Sequence, residues 1–310
     1  MKIKEYSFKS ATGVCDIRAR KFTPDNDDVK AVIVMHHGMA EHSDRYLGFF
    51  EDMTSRGYVM FMHDMANHGK SNQNKEETGY FGDNDGHKAL ITDFKTVFDI
   101  AKKEYPNSKI IIAGHSMGSF IARCFTAKFA NAGFDGAVYI GTGGPNPAAG
   151  IGDFISTTLA KSKGTKHKSK MIDKLSFGSF NNKFEKRTNF DWLTKDNDIV
   201  DEYIADDMCG FLFTVTGMND LIQLISRANS KEWYENLSKD LPILVTSGDM
   251  DPVGDYGKGL NKIYKNLLST GHVKSTLKLY PNDRHEILNE LDKETVYDDI
   301  DKWITENVLK

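Results

Sequence analysis

The sequence predicts an α/β fold: a mostly parallel central sheet with helices on both faces and a mainly helical insertion late in the chain. Three observations carry this reading. Short apolar runs of strand length recur along the chain, and amphipathic stretches of helical period separate them. The alternation then stops between residues 146 and 236, before two further strands resume it.

The elements follow in order. "KIKEYSF" and "VCDIRARKF" alternate apolar and polar residues and are joined by "KSATG", the pattern of an antiparallel hairpin at a sheet edge. "VKAVIVMHH" (29–37), "YVMFMHD" (58–64), "KIIIAG" (109–114), "GAVYIG" (136–141) and "PILVTSG" (242–248) are nearly continuous instead. Continuous apolar runs suit strands covered on both faces. "DRYLGFFEDMTSRG" spaces Tyr46, Phe49, Phe50 and Met53 at helical intervals and stops at Gly57; "HKALITDFKTVFDIAKKEY" places Leu90, Phe94, Val97 and Ile100 on one face. Residues 1–145 and 237–310 are thus expected to form a core domain, with 146–236 inserted as a cap over the carboxyl edge of its sheet. That insertion holds a lysine-rich stretch, "KSKGTKHKSKMIDK", read as a solvated face, and an aromatic-rich one from Phe177 to Phe213.

The totals exclude several classes. Forty Lys and Arg against 44 Asp and Glu give a formal charge of −4, the wrong sign for a nucleic-acid binder. No apolar run has the length of a signal peptide, and none approaches the ~20 residues of a membrane span. Cys15, Cys124 and Cys209 are scattered, fitting neither a disulfide framework nor zinc spacing, so a reducing cytoplasm is expected.

The chemistry centres on Gly114-His115-Ser116-Met117-Gly118, which follows the most strand-like run and opens an amphipathic helix. A serine hydroxyl is a weak nucleophile and must project to where a base can reach it. A sharp strand-to-helix turn does this at the cost of crowding, so glycine is needed two residues to either side. A base and an orienting acid should follow in the order Ser, Asp or Glu, His. Only His272 and His285 lie late enough. His272 falls in a turn on the opposite sheet edge and reads as a solvated turn residue; His285, in "PNDRHEILNE", lies on the edge of Ser116 and reads as the base. Asp249 and Asp251 both qualify as the acid in "SGDMDPVG"; Asp251 is favoured for its longer reach, leaving Asp249 to bond turn backbone.

An oxyanion hole needs two N–H donors: Met117, after the nucleophile, and Met39, in the loop opened by Gly38. That loop is rich in histidine, but His36 and His37 leave a strand toward opposite sides and cannot easily share one ion with His42 or Glu41. No metal and no cofactor are therefore expected.

"GHSMG", "HGMAEHSDRY" and "HDMANHGKS" together resemble the α/β-hydrolase superfamily, specifically its monoglyceride lipase and lysophospholipase group. The resemblance implies the α/β-hydrolase fold, with Ser116, Asp251 and His285 as the catalytic triad and Met39 as an oxyanion donor. The chain departs from the group at Asn67, where a glycine is usual, and at Asp207, where a proline is usual. Implied activity is cleavage of carboxylic esters of acylglycerol or lysophospholipid type, with transient contact to a lipid surface. Phe177, Phe180, Phe184, Phe190, Trp192, Phe211, Phe213, Leu221, Ile222 and Ile225 would then divide between packing the cap and lining an acyl pocket. A peptidase or amide hydrolase with the same triad is the alternative, and a non-catalytic binder on the same scaffold a third.

Overall fold

The computed structural model describes residues 1–25, 28–145 and 149–310. Strand β1 (Lys2–Lys9) pairs antiparallel with β2 (Asp16–Thr23), the hairpin expected from their alternation, and β2 continues antiparallel onto a later strand. Strands β3 (Ala31–His36), β4 (Tyr58–His63), β5 (Ile110–His115), β6 (Gly136–Ile140), β7 (Ile243–Gly248) and β8 (Ser275–Tyr280) are mutually parallel. One sheet results, in the order β1-β2-β4-β3-β5-β6-β7-β8. Ten α-helices appear among the described residues: α1 (Leu47–Ser55), α2 (Gly86–Glu104), α3 (Met117–Lys128), α4 (Ala149–Lys163), α5 (Lys170–Phe177), α6 (Asn197–Ala205), α7 (Val215–Ala228), α8 (Lys231–Asn236), α9 (Lys258–Ser269) and α10 (Lys293–Asn307).

The continuous apolar runs are explained by the two layers that cover the sheet. In β3, Val32 and Val34 face one core while Ile33 and Met35 face the other. In β5, Ile110 and Ile112 join the first core and Ile111 and Ala113 the second. The first is closed by Leu90, Phe94 and Val97 of α2, Ile121 and Phe125 of α3, and Ile263 of α9; the second by Phe50 and Met53 of α1 with Ile300 and Ile304 of α10. Each such side chain stabilises the fold by roughly 1.5–3 kcal/mol of transfer free energy, which is why both faces of every central strand are apolar.

The chain between β6 and β7 holds α4 to α8, plus one isolated bridge, Lys168 to Thr214. The boundary expected at 145/146 touches residues 146–148, outside the described residues. Part of the lysine run differs from expectation. Lys161, Lys163, Lys166 and Lys170 are exposed, Lys166 pairing with Glu77 at the surface (2.7 Å), but the bridge draws Lys168 inward, where it donates to the Thr78 hydroxyl (2.5 Å).

His272 is a second correction. It is fully buried, its Nε2 set against the Leu237 carbonyl (3.2 Å) and its Nδ1 against Thr270 Oγ1 (3.0 Å). The turn after α9 folds back onto the end of the helical segment, and a histidine with two hydrogen-bonding edges joins them. Its position away from the Ser116 edge is as expected.

Candidate active site

All the proposed site residues leave the carboxyl ends of parallel strands, where loops from neighbouring strands converge. Ser116 sits between β5 and α3 with φ 53° and ψ −122°, a conformation L-residues rarely hold. The flanking glycines are required by contact. A Cβ on Gly114 would lie 2.2 Å from the Gly118 carbonyl oxygen, and one on Gly118 2.3 Å from that of His36. The turn is pinned by the Ser116 N–H on Ile140 O (2.9 Å) and by Ser119, whose N–H and hydroxyl both donate to Ser116 O (2.9 and 2.6 Å).

Asp251 and His285 come together at 3.0 Å, Oδ1 to Nδ1, and both are buried. Asp251 also accepts the Val253 N–H (2.8 Å) and the Ser247 hydroxyl (2.6 Å). Burial alone would raise its pKa, but the facing His285 and these donors hold it below the usual carboxylate value. Gly248 lets the two loops meet, since a Cβ there would stand 1.9 Å from Asp283 O. Asp249 takes no part in the pair; its carboxylate accepts the Asn282 N–H (2.7 Å) and ties the two loops from outside. The Ser116 hydroxyl makes no hydrogen bond to His285 among the described residues; contacts of this kind often tighten only around substrate. The two residues are neighbours through Gly141, whose added Cβ would lie 3.0 Å from His285 Cε1, immediately after the Ile140 carbonyl that binds Ser116.

The loop after β3 passes beside Ser116. A Cβ on Gly38 would stand 3.1 Å from Ser116 Cβ and 2.5 Å from Glu41 Oε1. The Met39 N–H has no acceptor among the described residues, and neither does that of Met117, the first residue of α3. Asn67 keeps a left-handed φ of 54°, and its side-chain amide donates to Tyr80 O (2.8 Å), so the usual glycine is replaced without loss of the turn.

Two straps from the chain between β6 and β7 hold these loops. Leu193 O accepts the Glu286 N–H (2.7 Å), Trp192 O the His285 N–H (3.4 Å), and the Arg284 guanidinium reaches Thr194 O (3.3 Å). On the other side, Ala40 O accepts the Gly210 N–H (2.9 Å) and the Tyr203 hydroxyl (3.1 Å). Trp192 also lays its ring 5.1 Å from that of His285, and Phe180 and Phe177 continue the line at 5.1 and 5.7 Å. Phe213 and Leu221, by contrast, are core residues.

Sequence reasoning assigned no role to a buried polar network behind the site. Glu41, Arg45, Tyr46, His115 and Glu286 connect the loop after β3 to the loop after β8. The signal was available: all five polar residues lie within eight positions of Gly38, Ser116 or His285.

Two clusters have donors close enough to hold a metal: His42, Asp206 and Cys209, and Asp283, Glu290 and Asp292. Both are internally paired. His42 Nε2 faces Asp206 (2.7 Å) while its Nδ1 accepts the Asp44 N–H (3.3 Å), and Lys195 occupies the acidic cluster at 2.5 Å from Asp283. Among the described residues, His36 and His37 belong to neither. A cavity of about 260 Å³ beside His42 and a groove of about 890 Å³ between α2, α3 and α8 are lined by other residues than Ser116.

Comparison with known proteins agrees with this architecture. A profile of the family described as serine aminopeptidase, S33, matches residues 27–292. The monoacylglycerol lipase of Mycolicibacterium smegmatis is 26% identical, with 98% of each chain covered. The human monoglyceride lipase is 26% identical over 89% of this chain and 83% of its own. Among solved structures, a thermostable carboxyl esterase from Bacillus coagulans superposes with a TM-score of 0.92 at 29% identity, covering 99% of both chains.

Proposed function

Because the chain belongs to the serine aminopeptidase S33 family of α/β-hydrolases, we propose that it hydrolyses esters of acylglycerol or lysophospholipid type through an acyl-enzyme on Ser116. It is a serine hydrolase of the esterase and lipase kind. The observation that carries the acyl-enzyme mechanism is the buried Asp251–His285 pair beside a serine held at positive φ.

The Ser116 oxygen attacks the ester carbonyl carbon as His285 Nε2 takes its proton. Asp251 holds Nδ1–H and stabilises the imidazolium that forms. The Met39 and Met117 N–H groups receive the oxyanion. Collapse of the intermediate expels the alcohol, which takes the proton back from His285, and water repeats the sequence to release the fatty acid.

Lipid specificity is supported by two features. The line Phe177, Phe180 and Trp192 ends on the base, an apolar wall suited to an acyl chain. Ile151, Phe154, Met171 and Leu175 stand 55–72% exposed on α4 and α5, helices that also carry the exposed Lys161, Lys163, Lys170 and Lys174. Such side chains suit brief contact with an anionic lipid surface, which supports reading 146–236 as a cap. No helix among the described residues is long and apolar enough to cross a membrane. Three unpaired, buried cysteines support a reducing, cytoplasmic setting. The description of the family keeps amide hydrolysis as the second reading.

The test is the initial rate on p-nitrophenyl esters from acetyl to palmitoyl, on monoacylglycerol, on lysophospholipid and on aminoacyl anilides, with Ser116→Ala in parallel. Serine-dependent rates peaking at medium or long chains support the reading. Turnover of anilides alone replaces it with the amidase.

A further inference from the structure

His115, the residue before Ser116, has both ring nitrogens engaged, and the protons on that network can be placed by elimination. Glu41 is an acceptor on every side: Oε1 takes the Gly38 N–H (2.6 Å) and the Tyr46 hydroxyl (2.7 Å), and Oε2 takes the Arg45 guanidinium (2.8 Å). The one proton of Tyr46 is therefore committed to Glu41. His115 Nδ1 lies 2.8 Å from the same Tyr46 oxygen, and 3.4 Å from Glu41 Oε1, so the hydrogen in that contact comes from the histidine. The reverse assignment would leave Tyr46 and Glu41 oxygens 2.7 Å apart with no proton between them. His115 Nε2 lies 3.2 Å from the His285 carbonyl oxygen, which can only accept. Both nitrogens are donors.

Charge supports the same conclusion. Glu41 and Glu286 bring two negative charges into a buried space, and Arg45, the one guanidinium between them, brings a single positive charge. A cationic His115 balances the group. Burial alone would lower the pKa of its imidazole, but hydrogen bonding to Glu41, the charges of Glu41 and Glu286, and the His285 carbonyl hold it above the ordinary histidine value. The groups facing it are Glu41, Tyr46, Arg45 and Glu286, together with the His285 ring at 4.7 Å.

We propose that His115 is a buried imidazolium at neutral pH and a positioning residue, joining the His285 loop on one edge to the Tyr46–Glu41–Gly38 chain on the other. The two loops that flank Ser116 are thereby held in register by one ring. The positioning half rests on the triad reading given above; the charge assignment does not.

The experiment is 15N NMR of the full chain labelled at histidine, with the His115 signals identified by their loss in His115→Gln. Two protonated ring nitrogens through the neutral range are expected. A single unprotonated nitrogen there overturns the charge assignment, whatever the activity. For positioning, His115→Phe removes both donors, while the amide of His115→Gln can still reach the His285 carbonyl. On p-nitrophenyl butyrate, kcat is expected to fall ~100-fold in the phenylalanine variant with KM little changed, and to recover in part with glutamine. Unchanged kcat in the phenylalanine variant, or glutamine no better than phenylalanine, overturns the positioning role. A wild-type rate no higher than that of Ser116→Ala would instead sink the triad reading and leave the NMR result standing.

Discussion

The Arg45 guanidinium meets the Glu286 carboxylate through two parallel hydrogen bonds of 2.7 Å, joining residues 241 positions apart. Arg45 follows the loop that carries Met39, and Glu286 follows His285, so the pair clamps both sides of the site. Glu286 is buried and Arg45 nearly so, and removing Arg45 leaves the Glu286 and Glu41 carboxylates without their guanidinium, at a cost of about 3–5 kcal/mol. Arg45→Met should lower the urea unfolding free energy by that amount, and Arg45→Lys should recover only part, since an ammonium cannot reproduce the planar fork. An unfolding curve of Arg45→Met superimposable on wild type would refute the clamp.

Asp251 and Asp249 separate by function. Asp251→Asn should cut kcat by ~10⁴-fold, because an amide cannot hold His285 in the required tautomer. Asp249→Asn removes a carboxylate that only accepts the Asn282 N–H, and should leave kcat near wild type. Equal losses in the two variants would reassign the acid.

Gly38→Ala tests the loop that carries the Met39 N–H. The added methyl would overlap Glu41 Oε1 and press on Ser116, so the loop must shift. Expected effects are a ~100-fold fall in kcat from misplacement and about 1–3 kcal/mol of lost stability from overpacking. Wild-type kcat with normal stability would show that the loop has slack at this point.

A group of histidines behind the site makes the fold acid-sensitive. His36, His37, His63 and His68 are fully buried, and burial lowers the pKa of each, that of His63 and His68 to about 3. The unfolded chain takes up protons at these rings below pH 6.5, whereas folded His63 and His68 resist protonation until near 3. Stability therefore falls as pH drops through that window, by up to ~1.4 kcal/mol per pH unit for each ring. Both nitrogens of His63 lack partners among the described residues and its ring stacks on Phe94, so His63→Phe should keep the packing and flatten the slope of urea midpoint against pH. The same slope in the variant and in wild type would remove His63 from the account.

Trp192→Ala addresses the acyl wall. Turnover of p-nitrophenyl palmitate should fall more than that of the acetate, because on the proposed wall only the longer chain would reach past His285 to Phe180 and Phe177. Loss in equal proportion on both esters would leave Trp192 a support for the base alone.

The architecture was legible because its causes are local. Continuous apolar runs at β3 and β5 reflect two covering layers, and alternation at β1 and β2 reflects an edge. Ser116 could be found because the strain of its turn forces glycine at 114 and 118, and His285 because few histidines lie late in the chain. His272 was misread because a turn was equated with exposure, while burial there depends on Leu237, 35 residues away. The straps at Leu193 and Ala40 left little mark, since most of their bonds are between backbone groups, which any side chain permits, and the Tyr203 and Arg284 side chains that join them donate to backbone far away in sequence. The network through Glu41 and His115 sits between these cases: its residue types were visible, their convergence was not.

The straps have a consequence for recombination. Residues 191–194 and 203–210 lie between β6 and β7 in the chain, yet they fasten the loops of Ser116's neighbours, His285 and Met39. A chimera exchanging all of 146–236 with a relative would import foreign fastenings beneath both loops. One exchanging only 149–178, the stretch with the exposed apolar side chains of α4 and α5, would keep these straps native, along with the Glu185–Arg284 pair and the Asn181–Trp192 bond. The transplantable cassette is the shorter one, and it is the natural place to retune the proposed contact with lipid.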